Sequence, residues 1–271
     1  MRLDLFRRIQ AAYIATARIL FLSMIATSAI AQGADPFAGT WVWNPKASQL
    51  ANQKLSITAT GDHKYTIDDH FGVVTTLVAD GTPQPSAGGT LSLKQIDANT
   101  WQSTYTGATG TSGTYKISPD GQTMKRDQLI TWADGGKENR ESDWQRLGSG
   151  KGLAGEWQSK SVDTKSESKP FKLLITPAES SSLVFTFPSM KLSYLYKFDG
   201  KDYADPDPQA PKGFTLATKR TGTSTIHVDT KINGSPDGTA DYEISSDGRT
   251  MKVREVNKGQ PAPIFYTLEK Q

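Results

Sequence analysis

The chain has 271 residues, with 31 Lys and Arg against 28 Asp and Glu, no cysteine, and a formal net charge of +3 at pH 7. The lack of cysteine excludes a disulfide framework, thiol catalysis, cysteine metal sites and a lipid-modified cysteine, so stability must come from packing. Charges of both signs are interspersed, without a basic run or an acidic tail, which excludes electrostatic steering toward nucleic acid.

Residues 1–31 read as a signal peptide. Arg2, Arg7, Arg8 and Arg18 supply the positive region, Ile19 to Ile25 an apolar core, and Ala29-Ile30-Ala31 a small-x-small cleavage site before Gln32. The apolar run is about 13 residues, short of the ~20 that a spanning helix needs. The expectation is export to the periplasm or beyond, with no membrane span after cleavage. Removing the four arginines and Asp4 leaves a chain near neutrality, and its ~240 residues suffice for two domain-sized cores.

The first unit, 37–148, opens on Phe37-Ala38-Gly39-Thr40-Trp41. Alternating runs follow at Leu55–Ile57, Lys64–Ile67, Val73–Val78, Thr90–Leu93 and Trp101–Tyr105. Tyr115 then leads into Ile117-Ser118-Pro119-Asp120-Gly121, after which Met124–Trp132 and Ser142–Leu147 complete the unit. Asp120-Gly121 between two alternating runs predicts a β-hairpin with a type I turn, Gly taking the left-handed position. A glycine-rich linker occupies 149–152, and the second unit, 153–270, opens on Leu153-Ala154-Gly155-Glu156-Trp157. Its runs include Phe171–Ile175, Leu183–Phe187, Leu192–Phe198, Phe214–Leu216, Ser224–Val228 and Ile264–Leu268. The hairpin returns as Tyr242-Glu-Ile244-Ser-Ser-Asp247-Gly248 before Met251. Short strands at regular spacing, with no 3.6-residue period, predict an all-β protein of two tandem antiparallel β-barrel units. About eight strands is the number at which a sheet closes around a packed or ligand-sized interior.

The Gly39-x-Trp41 and Gly155-x-Trp157 openings resemble those of the lipocalin-like (calycin) β-barrels. The pattern is also similar to secreted bacterial proteins carrying Gly-Thr-Trp and Asp-Gly-x-Thr-Met repeats. The lipocalin resemblance implies that each Trp packs under a basic residue near the end of the last strand. Arg146 fits that role for Trp41 in unit one, and Lys270 for Trp157 in unit two. Tandem lipocalin-like architectures include carotenoid hydratases, but no motif residue here matches a catalytic one, and no catalytic constellation is found.

Alternation gives unit two three inward apolar stripes: Phe171/Leu173/Ile175, Leu183/Phe185/Phe187 and Leu192/Tyr194/Tyr196/Phe198. Phe185, Phe187, Tyr194, Tyr196 and Phe198 are therefore candidates to line a ligand cavity, with Tyr203 on a proline-rich loop across its mouth. Each ring is worth about 2 to 3 kcal/mol when buried, so a filled core is the competing reading. In unit one Met124, Arg126, Gln128 and Ile130 share a face that is either lumen or surface. Asp62-His63 and Asp68-Asp69-His70 form the densest set of potential metal ligands, but no third histidine is near and turn flanks explain them equally. His227 is expected to face solvent. The aspartates of 199–207 suit calcium by chemistry, though not by EF-hand spacing. No metal and no cofactor is assigned. The function expected is non-enzymatic binding of a small apolar or amphipathic ligand in a barrel cavity, more readily in unit two. The alternative is an envelope or cell-surface interaction protein with solid barrels, its protein partner unknown. Charges on both faces of most strands argue against an outer-membrane barrel.

Overall fold

A computed structural model describes residues 35–271 except 72, 87, 167–168 and 208–209; the expected signal peptide lies outside the described residues. The chain is all-β. Its strands are β1 (Gly39–Trp43), β2 (Lys54–Gly61), β3 (Lys64–Asp68), β4 (Val74–Val78), β5 (Gln84–Ser86), β6 (Gly89–Asp97) and β7 (Thr100–Thr106). They continue with β8 (Gly110–Ile117), β9 (Thr123–Thr131), β10 (Lys137–Leu147), β11 (Gly155–Ser166), β12 (Lys172–Pro177), β13 (Leu183–Phe187) and β14 (Leu192–Tyr196). The last are β15 (Tyr203–Ala204), β16 (Phe214–Gly222), β17 (Thr225–Ile232), β18 (Ser235–Ile244), β19 (Thr250–Asn257) and β20 (Ile264–Lys270).

They form two antiparallel sheets, ordered β4-β3-β2-β11-β10-β9-β8-β7-β6-β5 and β14-β13-β12-β1-β20-β19-β18-β17-β16-β15. The first curls until its ends meet, through an Asp80–Lys94 bridge and the Gly81 N–H on the Leu93 carbonyl at 2.8 Å, making a nearly closed barrel. The second is a half-barrel, its ends linked by the Gly200 N–H on the Thr218 carbonyl at 3.1 Å, the Phe198 N–H on the Thr218 hydroxyl and the Tyr194 hydroxyl on Asp205.

Both predicted hairpins form. Gly121 and Gly248 take positive φ (75° and 69°), and in each turn the preceding serine hydroxyl ties the Asp carboxylate to the returning strand. Left-handed backbone favours glycine there because a Cβ would crowd the turn.

Sheet membership crosses the chain order. β1 lies between β12 and β20, and β11 lies between β2 and β10, so the opening strand of each half completes the other half's sheet. Residues 44–53 carry the chain from one sheet to the other, and on the way Gln49 pairs with Phe265 and the Asn52 N–H donates to Ser159. The two insertions are equivalent in register. Trp41 stands opposite Leu173 and Lys270, and Trp157 opposite Leu55 and Arg146.

This corrects the expected pairing of tryptophans with basic residues. Arg146 covers Trp157, its guanidinium carbon 4.1 Å from the ring centroid, and Lys270 covers Trp41 at 5.0 Å. The partners cross because the tryptophan strands do. Both indoles are wholly buried and donate to the carbonyl four residues earlier, Trp41 to Phe37 and Trp157 to Leu153. Arg146 also donates to the carbonyls of Gly121, Gly152 and Ala154. The glycine of each opening has a physical reason: a Cβ on Gly155 would sit 2.0 Å from Arg146 Nη1, and one on Gly39 2.8 Å from Lys270 Cε.

Because each sheet contains a strand from the other half, a cut in the connector should not release two proteins. Cleavage at a protease site placed between Ser149 and Gly150, followed by native size exclusion, is expected to give one co-eluting species. Two separating fragments would contradict the exchange.

Candidate functional site

The interiors of the two sheets differ in chemistry. On the concave side of the half-barrel Phe185, Phe187, Tyr194 and Tyr196 are buried and in mutual contact, joined by Tyr242 and Phe171. Phe185 stacks on Tyr196 with centroids 4.3 Å apart, and Tyr242 meets both edge-on. The alternation put four of the six aromatic candidates together. The other two differ: Phe198 packs only partly buried against the core, and Tyr203 is not part of it. Phe198 is half-buried at positive φ with the Arg220 guanidinium 4.9 Å from its ring, and Tyr203 carries Lys197 on its face while donating to Asp199. Tyr194 donates to Asp205, and burial, reinforced by that carboxylate, pushes its phenol well above the ordinary range.

Inside the first barrel the layering is different. Around Trp157 the floor is apolar, built from Leu55, Leu93, Trp101, Ile117, Met124 and Trp144. Above it the inward positions of β9 and β10 carry Arg126, Gln128, Glu138, Arg140 and Ser142, all buried. Residues i and i+2 share a face, and Met124, Arg126, Gln128 and Ile130 together point in. Arg140 donates to Glu138 at 2.6 Å with both side chains almost sealed from water. Arg126 lies over the Tyr115 ring at 4.8 Å, and its Nε has no hydrogen-bond partner among the described residues. Burial lowers its pKa from the usual guanidinium value, and Arg140 lowers it further, against the opposing pull of Tyr115 and Asp69. A buried cation held with incomplete compensation costs folding free energy.

The half-barrel supplies an internal comparison. Across the first barrel Tyr115, Arg126 and Ser142 stand opposite one another, as Tyr242, Val253 and Tyr266 do in the half-barrel. Likewise Gln128 faces Arg140, where Glu255 faces Ile264. The architecture therefore accommodates Val253 and Ile264 where the first barrel buries two arginines. Sequence reasoning left Arg126 and Gln128 open between lumen and surface and missed Glu138, Arg140 and Ser142. Counting back by twos from Trp144 reaches all three, but it is the structure that shows Trp144 itself facing inward.

The histidine and aspartate candidates separate. Asp62 and His63 project into solvent, whereas His70 Nε2 bonds the Ser56 hydroxyl at 2.6 Å and Asp68 caps the His70 N–H. Gln260, from the β19–β20 connection, donates to the carbonyls of Lys54 and Asp69, tying the half-barrel to this rim. In the 199–207 loop Asp199, Asp202 and Asp205 bond different partners, Tyr203, Lys231 and Tyr194. No group of three His, Cys, Asp or Glu suited to a metal occurs among the described residues. None of the helical turns among them is long and apolar enough to cross a membrane.

Comparison with models of known protein families and with curated proteins found no match.

Arg126→Met removes an incompletely paired buried cation and is expected to raise stability by on the order of 1–4 kcal/mol, read from the urea midpoint; a loss instead would show that the guanidinium is a net structural asset. His227, on the outer face, bonds Asp241 through Nδ1 at 2.6 Å and Asp229 through Nε2 at 3.1 Å, with Arg254 on Asp241 and Lys219 opposite on β16. Asp241 first, then Asp229, raises its pKa against a desolvation that lowers it. The stabilisation is therefore fully present below the unfolded value of about 6.5 and lost as pH rises through the higher folded value. Urea titrations of His227→Gln against the parent should show a stability gap below pH 6 that closes in mildly alkaline buffer.

Proposed function

We propose that this is an exported, non-enzymatic, lipocalin-like binding protein whose first barrel takes a small amphipathic molecule bearing an acidic group. The signal-like residues 1–31 support export, and the two tryptophans under basic residues at the strand ends support the lipocalin likeness.

One observation carries the reading: Arg126 and Arg140 are buried in the first barrel where the half-barrel has Val253 and Ile264. A guanidinium kept out of water is matched to a carboxylate, because a charge-assisted hydrogen bond satisfies it better than a neutral acceptor does. The apolar floor of Trp101, Met124 and Leu93 would receive the tail of such a ligand, its burial providing the driving force. Polar groups above an apolar floor are the ordinary division of labour in a small-molecule site.

A second reading has its own support. The half-barrel assembles Phe185, Phe187, Tyr194 and Tyr196 into one aromatic surface, which suits an apolar ligand, with Phe198 partly buried at its margin. The same close ring packing also suits a solid core.

The test is native mass spectrometry of the chain from Gln32 made in a bacterial periplasm, together with NMR titration by decanoate. An excess mass lost on denaturation, decanoate shifts near Arg126, and the loss of both in Arg126→Met are expected. Retention in Arg126→Met with loss in Tyr196→Leu would move the site to the half-barrel. A bare mass and no decanoate response in the parent would overturn ligand binding in favour of solid barrels that meet a macromolecular partner.

A further inference from the structure

The outer wall of the first barrel has a feature that the proposed interior site does not use. A cleft of about 690 Å³ runs across β7 to β11 on the solvent side. Its walls include the small hydroxyl and amide side chains of Gln102, Thr104, Ser112, Thr114 and Asn139, which face outward by the parity of their strands, and the charged Asp127, Glu141 and Lys165. Gly113 sits in the central row, between Ser103 and Gln128, and adds no side chain to the outer face.

Asp127 is the anomaly. It stands opposite Thr114 on one side and Glu141 on the other. Its Oδ1 is shielded from solvent and has no hydrogen-bond partner among the described residues. Lys125 pairs with Glu141 at 3.3 Å and is also within electrostatic reach of Asp127, and Lys165 pairs with Asp163 at 3.8 Å, but none of these gives Asp127 Oδ1 a hydrogen bond. A carboxylate oxygen withdrawn from water without a donor is costly, and a bound donor would offset that cost.

We infer that this cleft is a binding site for a short neutral oligosaccharide, with Asp127 accepting hydrogen bonds from sugar hydroxyls. The chemistry of the walls selects the class. Hydroxyls and carboxamides both donate and accept, as a sugar ring demands around its rim. The volume lies within the usual range for ligand pockets. A polycation is a poorer fit because Glu141 and Asp163 are already neutralised by lysines. An apolar ligand finds no large apolar side chain facing outward except the half-buried Leu129. Arg126 does not line the cleft, whereas Gln128 and Arg140, whose side chains face the interior, border it from the wall between the two sites.

The test uses the ¹⁵N-labelled chain from Gln32, titrated into the millimolar range with N,N′,N″-triacetylchitotriose, cellotriose and maltotriose, and separately with spermidine. At least one trisaccharide is expected to shift the side-chain amides of Gln102 and Asn139. Asp127→Ala should weaken that binding about tenfold, the worth of one charge-assisted hydrogen bond. Arg126→Met should leave it unchanged. Asn139→Ala, which removes a wall amide without touching Asp127, should weaken it as well and guards against a folding defect in the first variant. No response to any trisaccharide, spermidine shifting the same amides where the sugars do not, or undiminished binding by both variants would overturn the assignment.

Discussion

Everything in this molecule depends on two tryptophans being sealed beneath a cation supplied by the neighbouring strand. Trp157 lies under Arg146 and Trp41 under Lys270, and in each case the cation reaches back to main-chain carbonyls that lead into the tryptophan strand. A fully buried indole of this size is worth several kcal/mol to the fold. Its N–H is satisfied locally, so no polar group is left stranded at the floor. The flanking glycine leaves room for the basic side chain. The repeated opening thus encodes a lock made of an absent Cβ, a buried ring and a covering charge.

That lock is assembled across the two halves of the chain. β11 is the strand that joins β2 to β10, and β1 the strand that joins β12 to β20. Removing either would split a sheet in the middle and expose unpaired edges on both sides. Each sheet therefore contains an element that belongs, along the chain, to the other. The exchange leaves the local chemistry of the lock unaltered, because Trp41 and Trp157 occupy equivalent registers and either strand can meet a basic residue there.

Once both floors are secured, the interiors above them are free to diverge. The half-barrel fills with aromatic rings at contact distance, while the first barrel buries Arg126, Gln128, Glu138, Arg140 and Ser142. A sheet buries whatever stands on its inner parity, and apolar positions there are simply the cheaper choice. The arginines of the first barrel are the costlier choice.

The sequence by itself determined the all-β class, the two Asp-Gly hairpins, the paired Gly-x-Trp openings and the aromatic set of Phe185, Phe187, Tyr194 and Tyr196. These are local or period-two properties, and steric turn preferences and alternation are written directly in the chain. It left the interior of the first barrel illegible. β10 reads Lys-Glu-Asn-Arg-Glu-Ser-Asp and carries polar residues on both faces, so hydrophobicity cannot say which side is in. Only the tertiary structure decided that Glu138 and Arg140 face inward, that Phe198 and Tyr203 are not fully buried with the other four rings, and that Arg146 covers Trp157 rather than Trp41. Which strand inserts between which neighbours is a long-range choice between two nearly identical slots, and nothing in the local pattern of either opening distinguishes them.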